Sequence, residues 1–216
     1  MTERSSRPAR IAVLVSGSGS NLQALLDRIA ADPDFGGEVV VVGADRPEAF
    51  GLTRAREAGI ATVTQRLPDH PDRDTWEHAL RADLERHRPD VVVLAGFMKI
   101  LSASFLAGWP RRVINTHPSL LPAFRGAHAV RDALEHGVKL TGSTVHLVDE
   151  LVDHGPIIAQ QAVEVRPDDD EERLHERIKA VEHELFPTCV GWLCRDQLEV
   201  RDRIVTIHDD PTRSDP

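Results

Sequence analysis

Two short stretches constrain the fold more than any others. Arg10–Ser16 (RIAVLVS) and Asp90–Ala95 (DVVVLA) are apolar at nearly every position rather than at every second one. Successive side chains of a strand point to opposite faces, so a strand that is apolar throughout must be covered on both. Chains achieve that by crossing over the sheet with helices, which makes the strands parallel. The segments between supply the rest. Glu38–Ala44 reads as strand, Glu48–Ala58 as helix, Ala61–Gln65 as strand and Arg73–His87 as a charged amphipathic helix. The expected class is α/β: a single-domain, doubly wound, mostly parallel sheet.

The second half changes character. Val113–Pro118 is a short strand ending on polar residues, and Gly126–His136 reads as a helix stopped by Gly137. Thr141–Val148 alternates polar and apolar, which predicts a strand wet on one face. Pro156–Val165 reads as its antiparallel partner across the Asp149–Gly155 loop, giving the sheet an antiparallel edge toward the C-terminus. Glu171–Cys194 is a long helix, and the acidic run Asp168–Glu172 at its start favours the helix dipole. Gln197–Ile207 suggests a hairpin turning at Arg201-Asp202. Residues 10–207 are expected to form the one domain, with 1–9 a flexible N-terminus and 208–216 a flexible tail.

Composition excludes several classes of function. Apolar residues make up 41% and charged residues 28%, as in ordinary soluble proteins. The net charge of -9 argues against nucleic acid as a partner. No apolar run is long enough to span a bilayer and the start lacks a signal-like core, so the expected location is cytoplasmic. Cys189 and Cys194 then read as free buried thiols.

Three features carry chemistry. Gly17-Ser18-Gly19-Ser20-Asn21 follows a strand and opens a helix, an order that gathers backbone N–H groups on an anion. The same residues also make an ordinary small-residue turn with Ser20 or Asn21 as N-cap. Leu22 stands where a dinucleotide loop has its third glycine, and no Gly-Lys-Ser/Thr follows as in a Walker loop. Asn115 and His117 lie two apart on one face of a strand end, and Asp153 follows in a turn. Amide, imidazole and carboxylate can hold an oxyanion and manage one proton, or they can cap turns. Gly96-Phe97-Met98-Lys99-Ile100-Leu101 follows a strand end, and its apolar residues either start a helix on the core or line a flat pocket. The eleven histidines form neither HxxxH nor HExxH, and no serine sits on a G-x-S-x-G elbow.

Asn115-Thr116-His117-Pro118-Ser119-Leu120-Leu121-Pro122, followed by Gly126 and closed by Asp153-His154-Gly155-Pro156, resembles the folate-dependent formyltransferase family. The resemblance extends over roughly residues 10–200 and implies a formyltransferase-type Rossmann-like fold. It implies Asn115, His117 and Asp153 as the catalytic set, acting without metal by direct transfer through a tetrahedral oxyanion. In that family Gly19, Ser20, Asn21, Leu22 and Gln23 match the site of a ribonucleotide phosphate. Glu182 matches a carboxylate that contacts the glycinamide part, although a solvated helix face explains it too. Met98, Lys99, Ile100 and Leu101, together with Asn115 and with Arg73 from the charged loop Pro68–Asp74, match the folate side.

The implied reaction is formyl transfer from 10-formyltetrahydrofolate, a co-substrate, to the amine of glycinamide ribonucleotide. The implied protein meets neither nucleic acid nor membrane and is a monomer or homodimer. Relatives that formylate methionyl-tRNA carry an extra C-terminal domain, and formyltetrahydrofolate hydrolases an extra N-terminal one. His154 departs from the pattern, standing where a small residue is common. A non-catalytic folate- or nucleotide-binding protein on the same scaffold is the reading from a different class.

Overall fold

The structure, a computed structural model, describes residues 7–208. They build one nine-stranded sheet in the order β3-β2-β1-β4-β5-β6-β7-β9-β8. Its first half is parallel: β1 (Ala9–Val15), β2 (Gly37–Ala44), β3 (Ala61–Thr64), β4 (Val91–Leu94) and β5 (Val113–His117). The continuous apolar runs are explained by where their side chains go. Ile11, Val13, Val15, Val91 and Val93 enter one core, while Ala12, Leu14, Val92 and Leu94 enter another on the opposite face. Burying a Val, Leu or Ile side chain fully is worth roughly 1.5–3 kcal/mol, so both faces drive the sheet together.

The helices divide accordingly. Leu22 and Leu25 of α1 (Ser20–Ala31), Leu52 of α2 (Phe50–Glu57) and Phe186 and Val190 of α6 (Glu171–Cys194) close the first core. Trp76, Leu80 and Leu84 of α3 (Arg73–Glu85) and Phe105 of α4 (Ala103–Leu106) close the second. The acidic run caps α6 as expected, with Asp170 Oδ1 accepting from the Arg173 N–H at 2.8 Å. The expected helix over 126–136 is shorter, because α5 spans only Ala129–Glu135.

Beyond β5 the sheet turns antiparallel through β6 (Leu140–Leu147) and β7 (Ile157–Glu164). The hairpin of β8 (Leu198–Arg201) and β9 (Ile204–Ile207) joins the same sheet, with β9 parallel to β7. One expectation fails here: β6 has no wet face, and Thr141 through Leu147 are all buried. Its polar side chains are buried because partners reach them from both sides. Ser143 Oγ lies 3.1 Å from Thr116 Oγ1, while Thr144 Oγ1 donates to the Ser119 carbonyl and accepts from the Leu121 N–H.

The expected flexible ends are also shorter where the structure describes them. Ala9 belongs to β1, Arg7 binds both oxygens of Asp90, and the His208 N–H bonds the Gln197 carbonyl. The remainder of the two expected flexible segments, 1–6 and 209–216, lies outside the described residues.

Candidate active site

The parallel strands point their carboxyl ends at one cavity of about 740 Å³. That is where an open α/β sheet presents ligand-binding loops, and the volume is in the usual range for small-molecule sites. Three loops and one helix wall it. They are the glycine loop after β1, the segment after β4, the β5 end with the turn before α5, and α6, while the Asp149–Gly155 loop closes one side.

The glycine loop is fixed by a close backbone approach. Gly19 has φ 68, and a Cβ there would meet Gly51 Cα of α2 at 2.6 Å. The loop thus lies flat on α2, leaving Gly19, Ser20 and Asn21 to line the cavity. The first N–H groups of α1 have no partner within the helix by its geometry, and no side chain caps them. The side chains of Leu22 and Gln23, unlike the other three, do not line the cavity. The Leu22 side chain is wholly buried in the core. Gln23 bonds Asp27 and Arg54 away from the cavity, and its own N–H is taken by the Gly19 carbonyl at 3.0 Å.

Asn115, His117 and Asp153 all line the cavity. His117 Nδ1 stands 3.3 Å from Asp153 Oδ2, and Nε2 lies 2.7 Å from the Phe124 carbonyl. A neutral imidazole can donate to one of these two oxygens and an imidazolium to both. Asp153 Oδ2 also accepts the Gly126 N–H at 2.8 Å, which ties the carboxylate to the turn after β5.

Asn115 is held by His146, its cross-strand neighbour on β6. Burial pushes the His146 imidazole below its usual pKa and so keeps it neutral. Its Nδ1 donates to the Leu147 carbonyl at 2.9 Å, leaving the Nε2 lone pair to accept from Asn115 Nδ2 at 3.2 Å. One N–H of the Asn115 amide is thereby fixed and the other is left for the cavity. His146 belongs to the strand expected to be wet on one face, but the structure buries it directly behind Asn115.

Glu182 is buried on the far side of β5 and lines the cavity from α6. Asn21 Nδ2 donates to it at 3.3 Å and Thr116 Oγ1 at 3.2 Å, with Ser143 Oγ at 3.5 Å. Burial pushes its carboxyl above the usual range, and these three donors work in the opposite direction. Lys179, one turn earlier on the same helix, lines the cavity as well. Sequence reasoning passed over it, although its spacing from Glu182 is the signal that would have found it.

After β4, no helix begins before Ala103. Met98 and Ile100 stand exposed at the cavity, whereas Leu101 is buried and touches both cavity and core. Lys99 lines the cavity 3.5 Å from Asp45. Arg73 opens α3 rather than sitting in a loop, and it lies outside the cavity lining. Its guanidinium donates to the Ile100 carbonyl and pairs with buried Glu77 at 3.4 Å. Glu77 in turn accepts from the N–H and hydroxyl of Ser102. Arg73 therefore braces the wall that carries Met98 and Ile100. Among the described residues, no three His, Cys, Asp or Glu side chains converge as a metal site would need.

Comparison with known proteins places this geometry among relatives. Residues 9–190 match the model of the formyl transferase family. The phosphoribosylglycinamide formyltransferase of Mycobacterium tuberculosis is 52% identical over 202 residues, covering 94% of this chain and 93% of the relative. The Escherichia coli K12 enzyme of the same name is 41% identical, covering 89% of this chain and 90% of its own length. Among solved structures, glycinamide ribonucleotide transformylase 1 from Symbiobacterium toebii superposes with a TM-score of 0.92 at 44% identity, covering 95% and 96% of the two chains.

Proposed function

The chain belongs to the formyl transferase family, and on that premise we propose that it formylates the amine of glycinamide ribonucleotide, with 10-formyltetrahydrofolate as donor. The observation that carries this reading is the meeting of Asn115, His117 and Asp153 in one cavity with the glycine loop and Glu182. A donor set for an oxyanion, a carboxylate–imidazole pair and an anion-binding loop are what a two-substrate acyl transfer to a phosphorylated amine requires.

In this reading the 5′-phosphate lies on the first N–H groups of α1, with Lys179 supplying charge from α6. Glu182 accepts hydrogen bonds from the glycinamide ribonucleotide. The folate lies along Met98, Lys99, Ile100 and Leu101. The amine attacks the formyl carbon, and the carbonyl electron pair moves to oxygen. The free N–H of Asn115 meets that oxyanion. The Phe124 carbonyl holds the place on His117 Nε2 that the oxyanion would take, so substrate competes with it. The attacking nitrogen loses a proton, the bond from carbon to the folate nitrogen breaks, and that nitrogen takes a proton, with the His117–Asp153 pair managing the exchange.

The reading includes small molecules as the only partners, a monomer or homodimer, and 10–207 as one catalytic unit. It also sets the protein in the cytoplasm. The two buried thiols, each pushed up to about 12 by burial, suit a reducing compartment. The test is formation of formylglycinamide ribonucleotide from the two substrates by purified protein with no added metal. Release of formate at a comparable rate without the amine would replace transfer by hydrolysis.

Glu182 gives a prediction with two signs. A carboxyl whose folded pKa is raised contributes stability at low pH that is lost as pH rises through that raised value. Glu182→Gln removes the burial cost of the charge. It is expected to raise Tm at pH 7 to 8 by on the order of a few °C, with the gain vanishing below about pH 4. The same change is expected to raise KM for glycinamide ribonucleotide by about tenfold or more, since a charged acceptor is lost. Thermal unfolding across pH and steady-state kinetics check both signs, and a lowered Tm at pH 8 would contradict the account.

A further inference from the structure

We propose that the C-terminal hairpin β8–β9 is a positioning element for the catalytic carboxylate, acting through Arg203 on His154. The proposal rests on the reading of Asp153 given above. The loop carrying Asp153 has little packing at its tip, where Leu151 is 58% and Val152 44% exposed. Asp153 itself holds a left-handed backbone, φ 47, in the turn that aims its carboxylate.

The loop is pinned at its base. The Leu147 N–H bonds the Pro156 carbonyl at 2.9 Å, and a Cβ on Gly155 would meet the Leu147 carbonyl oxygen at 1.8 Å. Within the loop, His154 Nδ1 lies 2.7 Å from Asp149 Oδ2, and Asp149 Oδ1 accepts the Leu151 N–H at 3.1 Å. Beside the Gly126 N–H on Asp153 Oδ2, a second hold comes from outside it. Arg203 follows Asp202 in the β8–β9 turn and donates through Nη2 to the His154 carbonyl. Its Nη1 lies 3.4 and 3.3 Å from the two ring nitrogens of His154, nearly equidistant. That places the guanidinium across the ring, a contact suited to its flat, delocalised charge. Parallel pairing of Ile204 with Ile157 sets the turn beside the end of the loop. Arg203 thus grips the residue next to Asp153 by backbone and side chain together.

Exposed contacts of this kind add little to global stability. Their expected effect is on geometry, where small displacements of a catalytic group cost much in rate. Arg203→Ala is therefore expected to lower kcat by about tenfold, leaving both KM values within about twofold. It should also speed hydrogen exchange at the amides of 149–155 while leaving Tm unchanged. Arg203→Lys keeps a donor for the carbonyl but not the flat face, and should fall between. Arg201→Ala, which removes the neighbouring side chain paired with Glu199 on the same hairpin, should match the parent in all three readouts. A folded Arg203→Ala protein with parental kcat, or with unchanged exchange in the loop, overturns the proposal. If the parent transfers no formyl group, the functional reading fails instead, and exchange alone decides whether the hairpin grips the loop.

Discussion

Replacing Asp153 with Asn is expected to lower kcat by at least about a hundredfold while leaving both KM values near those of the parent. The structure makes this substitution a clean one. Asp153 sits at φ 47, and Asp and Asn are among the residues that tolerate the left-handed region best. The Gly126 N–H, which Asp153 Oδ2 accepts at 2.8 Å, can be accepted equally by an amide oxygen. Turn and anchor are kept, and what is lost is the negative charge 3.3 Å from His117 Nδ1. His117 then faces a neutral partner in a cavity wall where the ring is buried. If the carboxylate only shapes the turn, turnover should be close to parental. Kinetics on the folded Asp153→Asn protein separate these, and parental kcat would remove Asp153 from proton transfer.

What could be read from the chain, and what could not, divides by how far away the partners lie. β1 and β4 were legible because burial on both faces leaves a local mark, an unbroken apolar run. β6 was misread for the opposite reason. Its Thr, Ser and His residues look solvent-facing, yet Ser143, Thr144 and His146 are buried against partners 16 to 39 residues away in the chain. Nothing in a period-two pattern announces such partners.

The site followed the same rule. Asn115 and His117 share a strand face by spacing alone, and the motif carried Asp153 with them. Arg73 was matched to the folate side by the resemblance, while its contacts with the Ile100 carbonyl and Glu77 were not legible in the sequence. The glycine loop was legible as a backbone turn. That Gln23 leaves the cavity depends on the Gly19 carbonyl and on Arg54, a residue of another helix.

Asn115→Ala is expected to cost between about a hundredfold and a thousandfold in kcat, the scale of removing one oxyanion donor. The Asn115 amide is the donor the structure readies best. Its Nδ2 is already fixed by one hydrogen bond to His146 Nε2, so the second N–H is aimed without reorganisation when the charge forms. That argument makes a sharper claim than loss of rate alone. If His146 acts only by holding Asn115, His146→Leu should reduce kcat less than Asn115→Ala does. In the double variant it should then add almost nothing further, because the group it positions is gone. His146→Gln, which keeps an acceptor, should recover part of the loss. Independent action by His146 on the substrate predicts multiplied losses in the double variant instead. Steady-state kinetics on the four variants and the parent, with folding checked by circular dichroism, settle which holds. An Asn115→Ala enzyme within about tenfold of parental kcat would leave the oxyanion without the donor assigned to it here.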